Sequence, residues 1–125
     1  MATLSTHDAF AVTARTGIHE VARELNGQIG PTLVAALTGT PDRKLPIRWA
    51  KEGGPTPGPG YQRRLRIGHR VLQQVASVEG HQVARDWLVG ANPILSEMSP
   101  IEAISADDFH TVVLAAQTFV SGGED

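Results

Sequence analysis

The side chains best suited to acid–base or metal chemistry are five histidines, and their spacing favours neither role. They are His7, His19, His69, His81 and His110. No two of them stand three or four residues apart, as a pair of metal ligands on one helix would. We therefore expect these histidines at the surface or at the edge of the core.

Other patterns associated with catalysis are also weak. Asp107 and Asp108 are adjacent carboxylates, but at a predicted helix start they interact favourably with the helix dipole. No Gly-rich loop runs into Lys-Ser/Thr, and Gly58-Pro59-Gly60 lacks the preceding strand of a dinucleotide-binding motif. We expect no catalytic residue, no metal and no cofactor. A small helical enzyme that combines His69 or His110 with a carboxylate stays open as an alternative.

The sequence carries no feature typical of export or of a membrane protein. Its first residues lack a basic region followed by an apolar run, and no apolar stretch approaches the roughly 20 residues that span a bilayer. The absence of cysteine excludes disulfides, thiolate metal sites and cysteine nucleophiles, and it fits a reducing compartment. The expected location is the cytoplasm, with no membrane partner.

Charge is distributed unevenly along the chain. Residues 1–80 carry ten Lys/Arg against six Asp/Glu, whereas residues 81–125 carry one Arg against seven Asp/Glu. Eight of the positive charges lie within 28 consecutive residues: Arg43, Lys44, Arg48, Lys51, Arg63, Arg64, Arg66 and Arg70. This asymmetry indicates two different partners, an anionic one for the first half and another for the second. Alternatively, the basic residues between Arg63 and Arg70 only solvate a helix face.

The spacing of apolar residues predicts helices throughout, so the expected fold class is all-α. The first predicted helix covers residues 5–26 and opens with a sequence of capping-box form. The second covers residues 30–39, with Pro31 at its first position and Gly39 at its end. The third covers residues 42–52.

The second and third predicted helices, joined by a tight glycine-containing turn, have the outline of a helix-turn-helix. Pro46 must then lie in the first turn of the third helix or mark its start, because an internal proline costs about 3 kcal/mol. Trp49 is predicted to anchor the core. The candidate DNA-binding residues are Thr40, Arg43, Lys44, Arg48 and Lys51.

Residues 53–60 read GGPTPGPG, which predicts a loop or hinge between two lobes, residues 1–60 and 61–125. Helices are predicted beyond it over residues 61–79, residues 81–89, a short segment from Pro100 and residues 109–120. Sequences of capping-box form, Ser99–Glu102 and Ser105–Asp108, begin the last two. Trp87 is predicted either to anchor the core or to border a protein-binding face.

Two stretches of the chain resemble the MbcA/ParS/Xre antitoxins, in particular their MbcA-like branch. The first resembles the family's helix-turn-helix and comprises Leu33–Gly39, Asp42–Lys44, Arg48–Ala50 and Arg63–Arg66. The second resembles its toxin-binding domain, marked in order by Trp-Leu, Asn-Pro-x-Leu and a downstream Pro. It comprises Ala84–Leu88, Asn92–Leu95 and Ser99–Glu102. Many members place Gly after Asn-Pro-x-Leu, where this chain has Ser96-Glu97.

The resemblance implies an N-terminal helix-turn-helix lobe, a C-terminal toxin-binding lobe and an antitoxin function. The chain would neutralise a RES-domain, NAD-consuming toxin by direct binding and repress the shared promoter. Implied partners are that toxin, promoter DNA and a second copy of the chain. The implied toxin-binding residues are Trp87, Asn92, Pro93, Leu95, Pro100, Phe119, Ser121 and Glu124, with the last of them near the toxin's active site. A neutralising or other protein-interaction module without DNA binding stays open as an alternative.

Overall fold

The computed structural model describes residues 5–122, and all regular structure in that range is helical. The α-helices are α1 (Thr6–Arg15), α2 (Ile18–Ile29), α3 (Pro31–Thr38), α4 (Leu45–Trp49), α5 (Pro59–Glu79), α6 (His81–Val89), α7 (Pro100–Ser105) and α8 (Phe109–Val120). A 3₁₀ turn, Pro93–Leu95, lies between α6 and α7. The prediction of an all-α fold is confirmed.

The prediction of one helix over residues 5–26 is wrong, because α1 and α2 are separate. The helix does start as expected, since the Ser5 hydroxyl accepts a hydrogen bond from the Asp8 amide at 3.0 Å. It ends because the Thr16 hydroxyl donates to the carbonyl four residues earlier, at 2.7 Å, and both Thr16 and Gly17 are extended. Such a bond from a threonine hydroxyl to a carbonyl four residues earlier destabilises and bends helices, and the extended residues then separate α1 from α2.

The second helix also continues beyond the predicted stop at Asn26-Gly27. It ends only at Gly30, whose φ of +87° suits glycine. A glycine inside a helix costs about 1 kcal/mol, and the extra turn buries Ile29, which is 3% exposed. Burial of an isoleucine side chain contributes about 1.5–3 kcal/mol, so tertiary packing outweighs the local preference.

The next two helices differ in how closely they follow the sequence. For α3 the prediction is confirmed: Pro31 is its first residue, and Gly39 closes it in the left-handed conformation with φ +81°. For α4 the predicted bounds, residues 42–52, are wrong, because the helix has only five residues. The prediction that Pro46 lies in the first turn is confirmed. The Asp42 carboxylate accepts a hydrogen bond from the Lys44 amide at 2.9 Å, so a turn precedes the helix.

The helices of the second half begin and end close to the predicted positions. The capping box at Ser99–Glu102 is confirmed, with both reciprocal hydrogen bonds present. The prediction of a second capping box at Ser105–Asp108 is wrong. Ser105 belongs to α7, and its hydroxyl donates to the Glu102 carbonyl at 2.9 Å. Asp108 occupies the position before α8, but its side chain caps no amide there.

Helix α5 organises the core, packing against α1, α2, α3, α6, α7 and α8. As predicted, Leu65, Leu72 and Val75 lie on its buried side, and each is at most 1% exposed. Buried residues from both sides of residue 60 form one hydrophobic cluster that includes both tryptophans. The division of the chain at that residue stays a prediction.

An ion pair outside this core joins α5 to α3 and to the α7–α8 turn. The guanidinium of Arg64 donates to both carboxylate oxygens of Asp107, at 2.9 and 3.1 Å, and to the Thr38 carbonyl at 2.6 Å. Asp107 thus binds an arginine where the sequence indicated a helix-dipole role. The hydrogen bond from Arg64 holds the pKa of Asp107 below its ordinary value.

The lowered pKa of Asp107 predicts an acid-dependent loss of stability. A carboxyl group with a lower pKa in the folded chain stabilises the fold above its unfolded pKa, about 3.8, and loses that contribution as the pH falls through the folded pKa. Asp107→Asn should therefore lower the urea midpoint at pH 7, and the difference from the parent should shrink below about pH 4. Asp108→Asn is the matched control. Equal midpoints for Asp107→Asn and the parent at pH 7 would contradict the stabilising role of the pair.

Candidate nucleic-acid interface

Four cations surround helix α4 and face solvent. This α4 basic cluster comprises Arg43, Lys44, Arg48 and Lys51, all exposed. Arg48 forms a weak ion pair with Asp42, in which the nitrogen and oxygen atoms are 4.0 Å apart. The other three cations form no ion pair with residues 5–122. These charges are therefore free to bind an external anion.

Helix α4 is held in place by three side chains of α2. Asn26 Nδ2, His19 Nδ1 and Arg23 Nη2 donate to the carbonyls of Pro46, Trp49 and Ala50, at 2.9, 2.8 and 3.0 Å respectively. The bonds to Trp49 and Ala50 satisfy carbonyls that the helix end leaves without backbone partners, and the one to Pro46 adds to the bond which that carbonyl accepts from the Ala50 amide. A five-residue helix is not stable alone in water, so α2 fixes the orientation of the basic cluster. Sequence reasoning missed these α2 residues, because their contacts span 20 to 30 positions.

The predicted DNA-binding residue Thr40 does not belong to this surface. It is 8% exposed, and its hydroxyl accepts a hydrogen bond from the Asp42 amide at 3.2 Å. Thr40 therefore shapes the turn before α4. The exposed members of the predicted set are the four cations.

Most arginines of α5 serve the fold. Arg64 pairs with Asp107, and Arg66 donates to two carbonyls near the end of α1, at 2.6 and 2.8 Å. Arg70 is half-buried, with its guanidinium 5.3 Å from the centre of the Phe10 ring. Of the four, only Arg63 is exposed. The eight clustered cations of the sequence thus leave five for an anionic partner.

The predicted toxin-binding residues divide into buried and accessible ones. The buried ones are Trp87, Asn92, Leu95 and Pro100, the accessible ones are Pro93, Phe119 and Ser121, and Glu124 lies outside the described residues. The Asn92 side chain accepts a hydrogen bond from the Ile94 amide at 3.0 Å and so caps the 3₁₀ turn. The Asn-Pro-x-Leu sequence therefore builds a turn whose leucine enters the core.

The turn ends in an unusual backbone conformation at Ser96 and Glu97, where φ is +56° and +70°. This is the left-handed region that favours glycine, the residue many members of the resembling family carry after Asn-Pro-x-Leu. A non-glycine residue held there costs about 1–3 kcal/mol. The Glu97 amide donates to the Asn92 carbonyl at 2.9 Å, which helps to hold the conformation.

Of the two roles considered for Trp87, the structure gives it the core role. The side chain is 8% exposed, and its ring lies 6.2 Å from that of Phe119. Its indole Nε1 is buried without a hydrogen-bond partner. Phe119 is half-buried, so it connects this part of the core to the surface of α8.

A buried polar chain links α1, α2 and α5. His69, expected near the surface, is fully buried: Nδ1 lies 2.7 Å from the Thr13 hydroxyl, and Nε2 lies 2.7 Å from the Glu24 carboxylate. Because an ionised carboxylate only accepts, a neutral His69 carries its proton on Nε2 and Thr13 donates to Nδ1.

A hydroxyl, an imidazole and a carboxylate in contact also occur in enzymes that use a nucleophile. The sequence left open a helical enzyme that uses His69, so the access of a substrate to this group matters. Thr13 is 4% exposed, and its hydroxyl is bound to His69. Between residues 5 and 122, His, Asp and Glu form no group of three that could hold a metal. His110 is exposed.

The fold and the charged surface define an all-helical protein with an exposed basic cluster. Comparison with protein-family models, with curated proteins and with solved structures returned no match. The resemblance to MbcA/ParS/Xre antitoxins therefore stays a prediction. No helix in the described part of the chain has both the length and the apolar character needed to cross a membrane.

Proposed function

We propose that this chain is a DNA-binding antitoxin of a type II pair, and that its partner is a RES-domain toxin that consumes NAD. The observation that carries the DNA-binding part is the α4 basic cluster. Four exposed cations without strong internal partners surround a helix that α2 holds firmly. Cations that serve only solubility do not need a fixed position, whereas the hydrogen bonds from α2 fix the helix that carries these.

DNA-binding helices use some residues to contact bases and others to contact phosphates, and the α4 basic cluster fits this arrangement. Residues near the start of a recognition helix reach base edges, and neighbouring cations bind phosphates. Arg43 and Lys44 precede α4, whereas Arg48 and Lys51 lie at its other end. One copy offers few contacts, so we expect a dimer or a toxin complex to read two half-sites.

The DNA-binding proposal predicts a strong salt dependence. DNA from immediately upstream of the reading frame should bind with a log–log salt slope of about −0.9 for each phosphate contact, or roughly −3 to −4 for a copy that uses all four cations. Arg43→Ala and Arg48→Ala should weaken binding. Arg85→Ala, an exposed arginine on α6, should leave it unchanged. Salt-independent binding, or full affinity in both cluster variants, would contradict the proposal and leave the alternative of a module without DNA binding.

For the toxin we propose the acidic second half, with Pro93, Phe119 and Ser121 as its accessible contacts. An NAD-binding site needs cationic or N–H-rich pockets for the pyrophosphate. Residues 81–125 carry seven carboxylates against one arginine, so their charge complements such a site. Phe119 offers an apolar contact backed by Trp87.

Deletion of residues 121–125 tests whether this end of the chain occludes the toxin's active site. The deletion spares Phe119, whose loss would disturb the packing of Trp87. We expect the truncated chain to co-purify with the co-expressed toxin while NAD consumption returns. Its thermal midpoint should match that of the full chain, which excludes misfolding as the cause. Complete neutralisation at equal stoichiometry would show that the remaining surface is sufficient.

A further inference from the structure

A small cavity lies between α1 and α5, on a side of the molecule that the proposed function does not use. Its volume is about 100 Å³. The lining residues are Phe10, Thr13, Ala14, Arg66, Ile67 and Arg70. Apolar atoms form most of this lining, and two arginines supply its charge.

The two arginines differ in how far their charge is compensated. Arg66 Nη1 donates to two backbone carbonyls near the end of α1. Arg70 forms no ion pair with the described residues, and its Nε is buried without a hydrogen-bond partner. Burial lowers the pKa of Arg70, the direction expected when a cation lacks a counter-charge.

Arg70 is half-buried, with its Nε desolvated and no carboxylate partner, and an anion that binds it offsets that cost of desolvation. The planar guanidinium of Arg70 lies over the Phe10 ring, and both side chains line the cavity. Guanidinium and carboxylate groups match in a two-bond geometry that spherical anions lack. The apolar lining formed by Ala14 and Ile67 favours a ligand with a hydrocarbon part.

We propose that the cavity binds a short-chain monocarboxylate, with its carboxylate against Arg70 and its hydrocarbon tail against Ile67 and Ala14. Volume limits the length of the tail. A cavity of about 150 Å³ accepts the six carbons of benzene, so this smaller one, of about 100 Å³, suits a tail of about three carbons, such as that of butyrate, whose carboxylate would lie outside it against the half-buried Arg70. Because α1 forms one wall, the bound acid would also hold α1 against α5.

The test titrates butyrate into the full chain by calorimetry and follows thermal unfolding, with sodium chloride at matched ionic strength as the blank. A ligand this small should bind in the millimolar range. At about ten times the dissociation constant the thermal midpoint should rise by about 5 °C. Butyramide has a similar shape and no charge, so it should bind at least about tenfold more weakly. Benzoate, which is too large for the cavity, should also bind more weakly.

Two variants remove the site in different ways. Arg70→Gln removes the charge and should abolish the butyrate response, whereas Arg63→Gln, an exposed arginine of the same helix, should keep it. Ala14→Leu fills the cavity with Arg70 intact and should also abolish the response. An absent response to butyrate, an equal response to butyramide or a full response in Arg70→Gln would overturn the proposal. None of these readouts involves DNA or toxin, so a failure here is distinct from a failure of the proposed function.

Discussion

Replacement of Leu72 by alanine should lower the free energy of unfolding by about 2–5 kcal/mol, as truncation of a buried leucine does. Leu72 is 1% exposed and lies on α5, which packs against α1, α2, α3, α6, α7 and α8. A cavity at this position would weaken packing against several elements at once. Urea denaturation followed by far-ultraviolet circular dichroism measures the change. The slope of the free energy of unfolding against urea concentration should be the same in the variant and the parent.

Leu114→Ala is the matched control, because Leu114 is 46% exposed on α8 and its truncation should change stability by no more than about 0.5 kcal/mol. An unchanged midpoint in Leu72→Ala would show that α5 does not face the core as described. The same experiment addresses the division of the chain at residue 60. Since the buried residues of both halves form one cluster, both variants should unfold in a single transition. Two transitions would indicate lobes that unfold separately.

The helices that the sequence predicts well are those with local boundary signals. Helix α3 lies between a proline at its first position and Gly39 in the left-handed conformation. Helix α6 begins after Gly80, which has φ +87°, and the capping box of Ser99–Glu102 begins α7. Each signal acts within a few residues of the boundary it sets, so it can be identified without knowledge of the fold.

The misplaced boundaries result from contacts that no local pattern contains. Helix α2 passes Gly27 because Ile29 enters the core. Helix α4 stays short and is held by α2 through hydrogen bonds to the carbonyls of Pro46, Trp49 and Ala50. His69 is buried because Thr13 and Glu24 meet it from 56 and 45 residues away. Partners at such separations are visible only in the folded chain.

For the candidate site, the sequence predicted the types of residue better than their roles. The eight cations between Arg43 and Arg70 mark a basic region of the sequence. Three of them, Arg64, Arg66 and Arg70, form contacts within the fold. The same holds for the Asn-Pro-x-Leu sequence, in which Asn92 caps a turn and Leu95 enters the core. A short sequence pattern can therefore mark a local fold as strongly as a binding surface.

Trp49→Ala should be the most damaging single truncation, with a loss of about 3–5 kcal/mol. Trp49 is 1% exposed, and its ring centre lies 5.2 Å from that of Tyr61 on α5. Such a loss is a large share of the 5–15 kcal/mol that stabilises a typical domain. Ile47→Ala, on the same helix but 48% exposed, should change the urea midpoint little. Equal losses in the two variants would contradict the assignment of Trp49 as the anchor of α4.

The same variant tests whether the position of α4 matters for the DNA binding proposed above. Trp49 is the only residue of α4 with a large, fully buried side chain, so its truncation should free the helix even at temperatures where the chain remains folded. Leu72→Ala should lose similar stability about 16 Å further along α5 than Tyr61, the ring that contacts Trp49, and it is therefore the matched control. Promoter affinity measured on the folded fraction should fall in Trp49→Ala and stay near the parental value in Leu72→Ala. An equal fall in both would mean that lost stability alone weakens binding, whereas full affinity in Trp49→Ala would mean that the DNA does not require α4 to be fixed.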